Sequence, residues 1–246
     1  LVYNGTFIPR SGTFVFDSSI AKTITTAGTV PFNNLVMHTS YVVTIGASAN
    51  RALSVGNKLE FIQGRINTRG ATTRFVAVLG SMVRSGTGHV DGDLRFQIPT
   101  GPGKYVYPIG NGTNYTPATV AITGTGGVAG LYEIISNTRT ISLTGSTLNT
   151  AQNIERQWDV FVPAGSNFDL QARTANLTFE FLNPADIRGG ANPSQFETRR
   201  NTGGTWFFTT TGVRTSTTTQ STGYTNTVFN ATSSYVVGPP GTLAFY

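Results

Sequence analysis

Apolar and polar residues alternate in short runs along almost the whole chain, and most runs stop at Gly, Pro, Asn or Ser. The clearest run is Leu177-Thr178-Phe179-Glu180-Phe181, which places Leu177, Phe179 and Phe181 on one face of a strand. The densest is the stretch from Gly88 to Pro117, where short alternating runs are cut by Gly92, Pro99, Gly101, Pro108 and Gly110. This grammar predicts strands at 13–16, 34–38, 41–45, 52–55, 58–62 and 73–79. It predicts others at 93–98, 104–107, 118–123, 130–136 and 156–162, and a last group at 168–173, 175–182, 205–210, 224–229 and 234–237. No window has a convincing helical period, and residues 183–187 offer at most one short turn of helix. The predicted class is all-β.

The texture changes near residue 85. Before it, brief apolar pieces such as Leu35-Val36, Leu53-Ser54-Val55 and Leu59-Glu60-Phe61 form a degenerate short repeat, which suits stacked rungs or a meander. After it the strands lengthen and aromatics become frequent. The expected organisation is a repetitive β-solenoid or meander over 1–85, followed by a β-sandwich, jelly-roll-like or immunoglobulin-like, over 86–246. The boundary is expected at 81–88. Residues 202–227 are rich in Thr, Ser and Gly, but Trp206, Phe207 and Phe208 among them predict an ordered hairpin.

Composition narrows the function. Only 11% of the 246 residues are charged, 29 are Gly and none is Cys. About one residue in six is Thr. Such a chain covers its strands with Thr rather than with Lys or Glu. The missing cysteines remove thiol nucleophiles, zinc–thiolate sites and iron–sulfur clusters. The net charge of +6 is scattered, with Arg199-Arg200 the one adjacent basic pair, so a nucleic-acid interface is not expected. No apolar run approaches the ~20 residues that cross a bilayer as a helix, and membrane insertion is not expected. The chain begins Leu1-Val2-Tyr3-Asn4, without Met or a basic leader, and reads as processed or excerpted.

Candidate chemistry is sparse. His38 and His89 are isolated and read as structural. Asp91-Gly92-Asp93 is a fragment of a calcium loop without its remaining ligands, and reads as a turn. Glu155 and Asp159 share a strand face but stand about 13 Å apart along it. That exceeds the ~5–9.5 Å of a glycosidase carboxylate pair. No nucleophile elbow or phosphate-binding glycine loop appears. No catalytic residue, cofactor or metal is expected, and the chain reads as a non-enzyme. Trp206 and Tyr224 are candidates for stacking on sugar rings.

An ordered set of motifs carries a family resemblance. It runs through Phe32-Asn33-Asn34-Leu35, Leu53-Ser54-Val55, Gly64-Arg65-Ile66-Asn67-Thr68, then Val90, Gly92, Leu94 and Arg95, and Pro99-Thr100-Gly101. It continues with Tyr107-Pro108-Ile109-Gly110, Asn114-Tyr115-Thr116-Pro117, Glu155-Arg156-Gln157-Trp158, Phe179-Glu180-Phe181 with Asp186, Gly204-Thr205-Trp206 and Ser234-Tyr235-Val236-Val237-Gly238. Over most of residues 12–240 the chain resembles the β-rich modules of large secreted surface and adhesin-like proteins of the Bacteroidota, cargo of the type IX secretion route. The resemblance implies an exported, extracellular, non-enzymatic module, and it brings no catalytic residues.

The expected function is that of an extracellular structural protein, a subunit of a cell-surface filament assembled by strand exchange into a homopolymer. The expected contact residues are the apolar termini: Leu1, Val2, Tyr3 and Phe7 at one end and Leu243, Phe245 and Tyr246 at the other, with residues 1–9 the leading donated segment. The alternative is a carbohydrate-binding adhesin module that takes surface glycans as partners.

Overall fold

The structure is a computed structural model and describes residues 2–3, 8–26, 28–46, 51–70 and 74–241. The described chain is nearly all β in its regular elements and divides into two units. One comprises residues 1–97 with 108–115, the other residues 98–107 with 116–246.

Among the described residues of the first unit every strand pairing is parallel except the short hairpin of Ile109–Asn111 with Asn114–Tyr115. Thr13–Phe16 and Lys22–Thr26 pair with Thr29–Ile45, which pairs with Ala52–Asn67. Ala52–Asn67 pairs in turn with Phe75–Val78, Ser81–Arg84 and His89–Asp91. The last coil adds Leu94–Ile98 beside Phe75–Val78, and Ile109–Asn111 beside His89–Asp91. The registers place each residue beside one 18 to 25 positions further on, which is the period of a solenoid coil. The repetitive lead-in expected from the sequence is therefore a stack of rungs rather than a meander.

Each full rung has three faces. The long strands Thr29–Ile45 and Ala52–Asn67 bend between faces where the register slips, at Phe32/Asn34 and between Met37, His38 and Val42. Stacking in register places like on like. Leu35 sits beside Leu59, and Phe16, Met37 and Phe61 form a column, as do Val43, Ile66, Val90 and Ile109. All of these side chains are buried. The corners need small residues. A Cβ on Gly86 would lie 1.8 Å from the Ile62 carbonyl oxygen one rung below. Gly64 has φ +85°, and a Cβ there would lie 2.0 Å from the Thr39 carbonyl oxygen, so only glycine fits both the angle and the space.

Asp91 ties the last rungs together. Its carboxylate receives Arg69 Nε and the Gly112 N–H (2.9 Å), with Arg65 at 3.7 Å, while Arg69 Nη2 reaches the Gly110 carbonyl at 2.8 Å. Asp91-Gly92-Asp93 is thus a turn, with Gly92 at φ +121°. His89 is buried beside it, and its Nε2 stands 3.1 Å from the Gly112 carbonyl oxygen. Because residues 81–84, 89–91 and 94–97 all belong to this stack, the first unit runs past the expected boundary at 81–88.

The second unit is antiparallel. One ladder runs Gly103–Tyr107, Ala118–Thr123, Thr174–Glu180, Thr218–Tyr224 and Thr210–Arg214. Another runs Gly130–Thr138, Arg156–Phe161, Ser233–Gly238, Glu197–Thr202 and Thr205–Phe208. Rings from the two ladders meet in the core. Trp158 packs on Phe179 (4.9 Å between centroids) and Phe179 on Tyr235 (5.1 Å), while Tyr132 stacks on Phe229 at 4.4 Å.

Three local expectations change. Residues 168–173 form no strand beyond a single bridge from Asp169 to Val128. The strand predicted over 224–229 ends at Tyr224, and Asn226–Phe229 is a turn of α-helix that drives Phe229 onto Tyr132. Residues 183–187 form turns rather than helix. The hairpin expected around Trp206 is present, with Glu197–Thr202 paired to Thr205–Phe208 across Gly203-Gly204.

Candidate functional site

Two features remain after packing has claimed most side chains: open strand edges on the solenoid and a cleft in the second unit.

On the second face of the solenoid, residues 34–37 and 58–61 are paired on both sides. The flanking strands are not. Thr13–Phe16 pairs with Thr29–Ile45 alone, and Ser81–Arg84 with Ala52–Asn67 alone, among the described residues. The same face therefore ends at both extremes in a row of N–H and C=O groups without a strand beside them. Apolar side chains gather at these ends. Val15 is 48% exposed, Ile20 59% and Val83 39%. Of the termini expected to make subunit contacts, Leu1, Phe7, Leu243, Phe245 and Tyr246 lie outside the described residues. Val2 and Tyr3 pair in parallel with Thr25 and Thr26 of their own chain.

The cleft, about 540 Å³, opens beside the hairpin of Glu197–Thr202 and Thr205–Phe208. Arg199 and Phe208 are directly opposed across that hairpin, and the guanidinium lies 4.4 Å from the ring centroid. Arg199 is almost fully buried and fixed on every side. Its Nη2 donates to Glu197 Oε2 (2.6 Å), its Nη1 to the Thr198 carbonyl (2.9 Å), and its Nε to the Ser146 carbonyl (3.1 Å) and Thr147 Oγ1 (3.2 Å). Glu197 and Arg199 share a strand face because they are two residues apart. Arg214 enters from the neighbouring ladder and is held through its Nε by the Phe196 carbonyl. Phe208 is 74% exposed at the rim. The lining thus combines two arginines, one carboxylate, threonine hydroxyls and an open aromatic ring.

Neither sugar-stacking candidate has the expected environment. Tyr224 is 5% exposed, its ring packed against Tyr235 and its hydroxyl bonded to Ser221, so it has no face to offer a sugar. Burial raises its pKa above the usual phenol value. Trp206 is half-buried against Leu143, Leu148 and Val236, and its Nε1 donates to the Thr144 carbonyl at 3.1 Å. The aromatic ring that does line the cleft is Phe208, two residues further along the same strand. The signal for it was the Phe207-Phe208 pair: on one strand the two rings must face opposite ways. Arg200 meets Phe207 as Arg199 meets Phe208.

The remaining polar candidates are engaged elsewhere. Asp159 accepts from Asn137, Gln157 and Ser234, and Glu155 faces Arg188 at 3.6 Å. His38 stands 4.0 Å from Asp17 at the surface. Among the described residues no group of three or more His, Asp or Glu is placed to hold a metal ion, and no helix is long and apolar enough to cross a membrane. No family model matches the chain, and no curated protein or solved structure matches it either.

Proposed function

We propose that this chain is an extracellular structural protein, a subunit of a cell-surface filament that grows head to tail through its solenoid edges, with the second unit a β-sandwich carried along it. The observation behind the reading is that one face of the solenoid ends at both extremes in a strand paired on one side alone, Thr13–Phe16 and Ser81–Arg84, among the described residues. A solenoid needs polar caps to stay monomeric. Here the terminal strands instead expose Val15 and Val83. Pairing Ser81–Arg84 of one copy with Thr13–Phe16 of the next would continue the stack with the parallel sense of every other rung. Such a contact is heterologous and does not close on itself, so it propagates. It takes the place of the donated terminus expected from the sequence, because Val2 and Tyr3 already have a partner strand in their own chain. The extracellular setting follows from the resemblance of the motif set to secreted surface modules.

The test uses Val15→Lys and Val83→Lys, each of which places a charge on one edge. The wild-type chain is expected to form fibres in negative-stain electron micrographs, and each variant alone to stay monomeric by light scattering. Mixed together, the two variants form dimers and nothing larger, because one keeps its tail edge and the other its head edge. Fibres from either variant alone, or a wild-type chain that stays monomeric at high concentration, would refute the reading.

A further inference from the structure

We infer that the cleft between Glu197, Arg199, Phe208 and Arg214 is a binding site for an acidic saccharide, a sugar carrying a carboxylate. The inference does not depend on filament assembly. The volume of about 540 Å³ lies within the ~300–1,000 Å³ range of small-molecule sites.

The lining divides the work. Arg199 is immobilised by three backbone carbonyls or hydroxyls and by Glu197, and it lies over the Phe208 ring, so one wall is rigid before any ligand arrives. Arg214 is the adaptable cation. It is anchored through Nε to the Phe196 carbonyl while the residue itself is exposed, which leaves the outer fork of the guanidinium for a carboxylate. Glu197 gives Oε2 to Arg199, and its other oxygen can accept from a hydroxyl group. Thr211 adds a hydroxyl to the lining, and the exposed Phe208 ring offers an apolar face to the C–H side of a pyranose.

Charge selects among ligands. The cleft holds two guanidinium groups against one carboxylate, so an anion is favoured. A compact phosphate would bring its remaining charged oxygens against the Glu197 carboxylate. A uronic acid has both parts: a carboxylate for Arg214 and hydroxyl donors for Glu197. A neutral sugar would leave the Arg214 fork unpaired.

The experiment is titration calorimetry of the full chain with trigalacturonate, its methyl-esterified neutral counterpart and inorganic phosphate. Trigalacturonate is expected to bind one per chain, more weakly as salt rises. The ester is expected to bind about tenfold more weakly or worse, having lost a charge-assisted pair. Arg214→Gln should cost trigalacturonate affinity about tenfold, with Arg214→Lys intermediate because it keeps the charge and loses the fork. Phe208→Ala should weaken both saccharides by about two- to tenfold, and its exposure makes it a safe change for folding. Equal binding of acid and ester, no binding of either, phosphate binding as tight as the saccharide, or affinities unmoved by Phe208→Ala would each overturn the assignment.

Discussion

Removal of the Asp186 carboxylate should cost the second unit more stability than any surface change. Arg156 is 2% and Asp186 7% exposed. They form a two-pronged pair, Nε to Oδ2 at 2.8 Å and Nη2 to Oδ1 at 2.7 Å. Asp186 Oδ2 also accepts the Leu182 N–H at 2.8 Å, and Arg156 Nη1 reaches Ser136 Oγ at 3.3 Å. The pair fastens the turn at 182–187 to the strand Arg156–Phe161, beside the Glu155 N–H bond to the Asp186 carbonyl. Asp186→Ala leaves a buried guanidinium with Ser136 as its one remaining side-chain partner among the described residues and leaves the Leu182 N–H without its acceptor. Breaking a buried pair on one side costs about 3–5 kcal/mol. In a chain of this size each kcal/mol moves Tm by about 2–4 °C, so a fall of roughly 6–20 °C is expected. Both tryptophans, Trp158 and Trp206, lie in the second unit, so thermal melting followed by tryptophan fluorescence reads that unit without the solenoid. The double variant Arg156→Met with Asp186→Leu removes both charges and should recover most of the loss. A fall in Tm below about 2 °C for Asp186→Ala would refute the reasoning. So would a double variant as unstable as the single one.

Three further outcomes follow from buried groups. Gly86→Ala drives a Cβ into the Ile62 carbonyl, and an overpacking cost of about 1–3 kcal/mol should appear as faster amide exchange at residues 58–67, while the tryptophan melt is unchanged. Burial lowers the His89 pKa below its ordinary 6.5, with the Gly112 hydrogen bond and Asp91 opposing. The unfolded chain then takes up the proton first, so solenoid stability is full above pH ~6.5 and falls as the pH drops through that value towards the folded pKa. His89→Gln should flatten that slope in denaturant titrations between pH 5 and 7. Burial holds the hydroxyls of Tyr107 and Tyr132 well above the ordinary phenol pKa, with Tyr107 donating to the Tyr132 carbonyl (3.1 Å) and Tyr132 to the Phe229 carbonyl (3.2 Å). Their stabilisation is complete below pH ~10 and is lost above it, and both should ionise only with unfolding in an ultraviolet titration.

Strand existence was legible where alternation is strict, and face assignment failed where a bulge reverses it. In Thr218–Tyr224 the buried residues are Thr219, Ser221 and Tyr224. Strict alternation would send Tyr224 outward and make it a surface aromatic. The register slips between Ala175 and Leu177, Gly223 takes φ +77°, and Tyr224 turns into the core. The extra residue lies on this strand, between Ser221 and Tyr224, and Gly223 is its one local mark in the sequence. Remote partners hid the helical turn at Asn226–Phe229. Its composition favours strand, but Asn226 Oδ1 accepts the Leu170 N–H at 3.0 Å and Phe229 finds Tyr132. Both partners are remote in sequence.

The motifs behind the family resemblance now have physical roles, and those roles are structural. Ile66 and Val90 share a buried column of the solenoid, Arg156 meets Asp186 thirty positions away, and Trp158, Phe179 and Tyr235 share one core. A motif set of this kind identifies a scaffold and is silent about a ligand. What the scaffold does must come from residues that break the packing rules: an open phenylalanine beside a locked arginine, and two valines on unpaired strand edges. The two valines do not stand out in sequence, because an exposed Val reads like a core residue until the strand order is known, whereas the Phe207-Phe208 and Arg199-Arg200 pairs mark the other two positions. The two valines and the cleft lie in different units and depend on different physics, one on backbone pairing and one on charge. Salt should therefore separate them: raised ionic strength weakens saccharide binding at Arg214 and leaves edge pairing at Val15 and Val83 intact or strengthened.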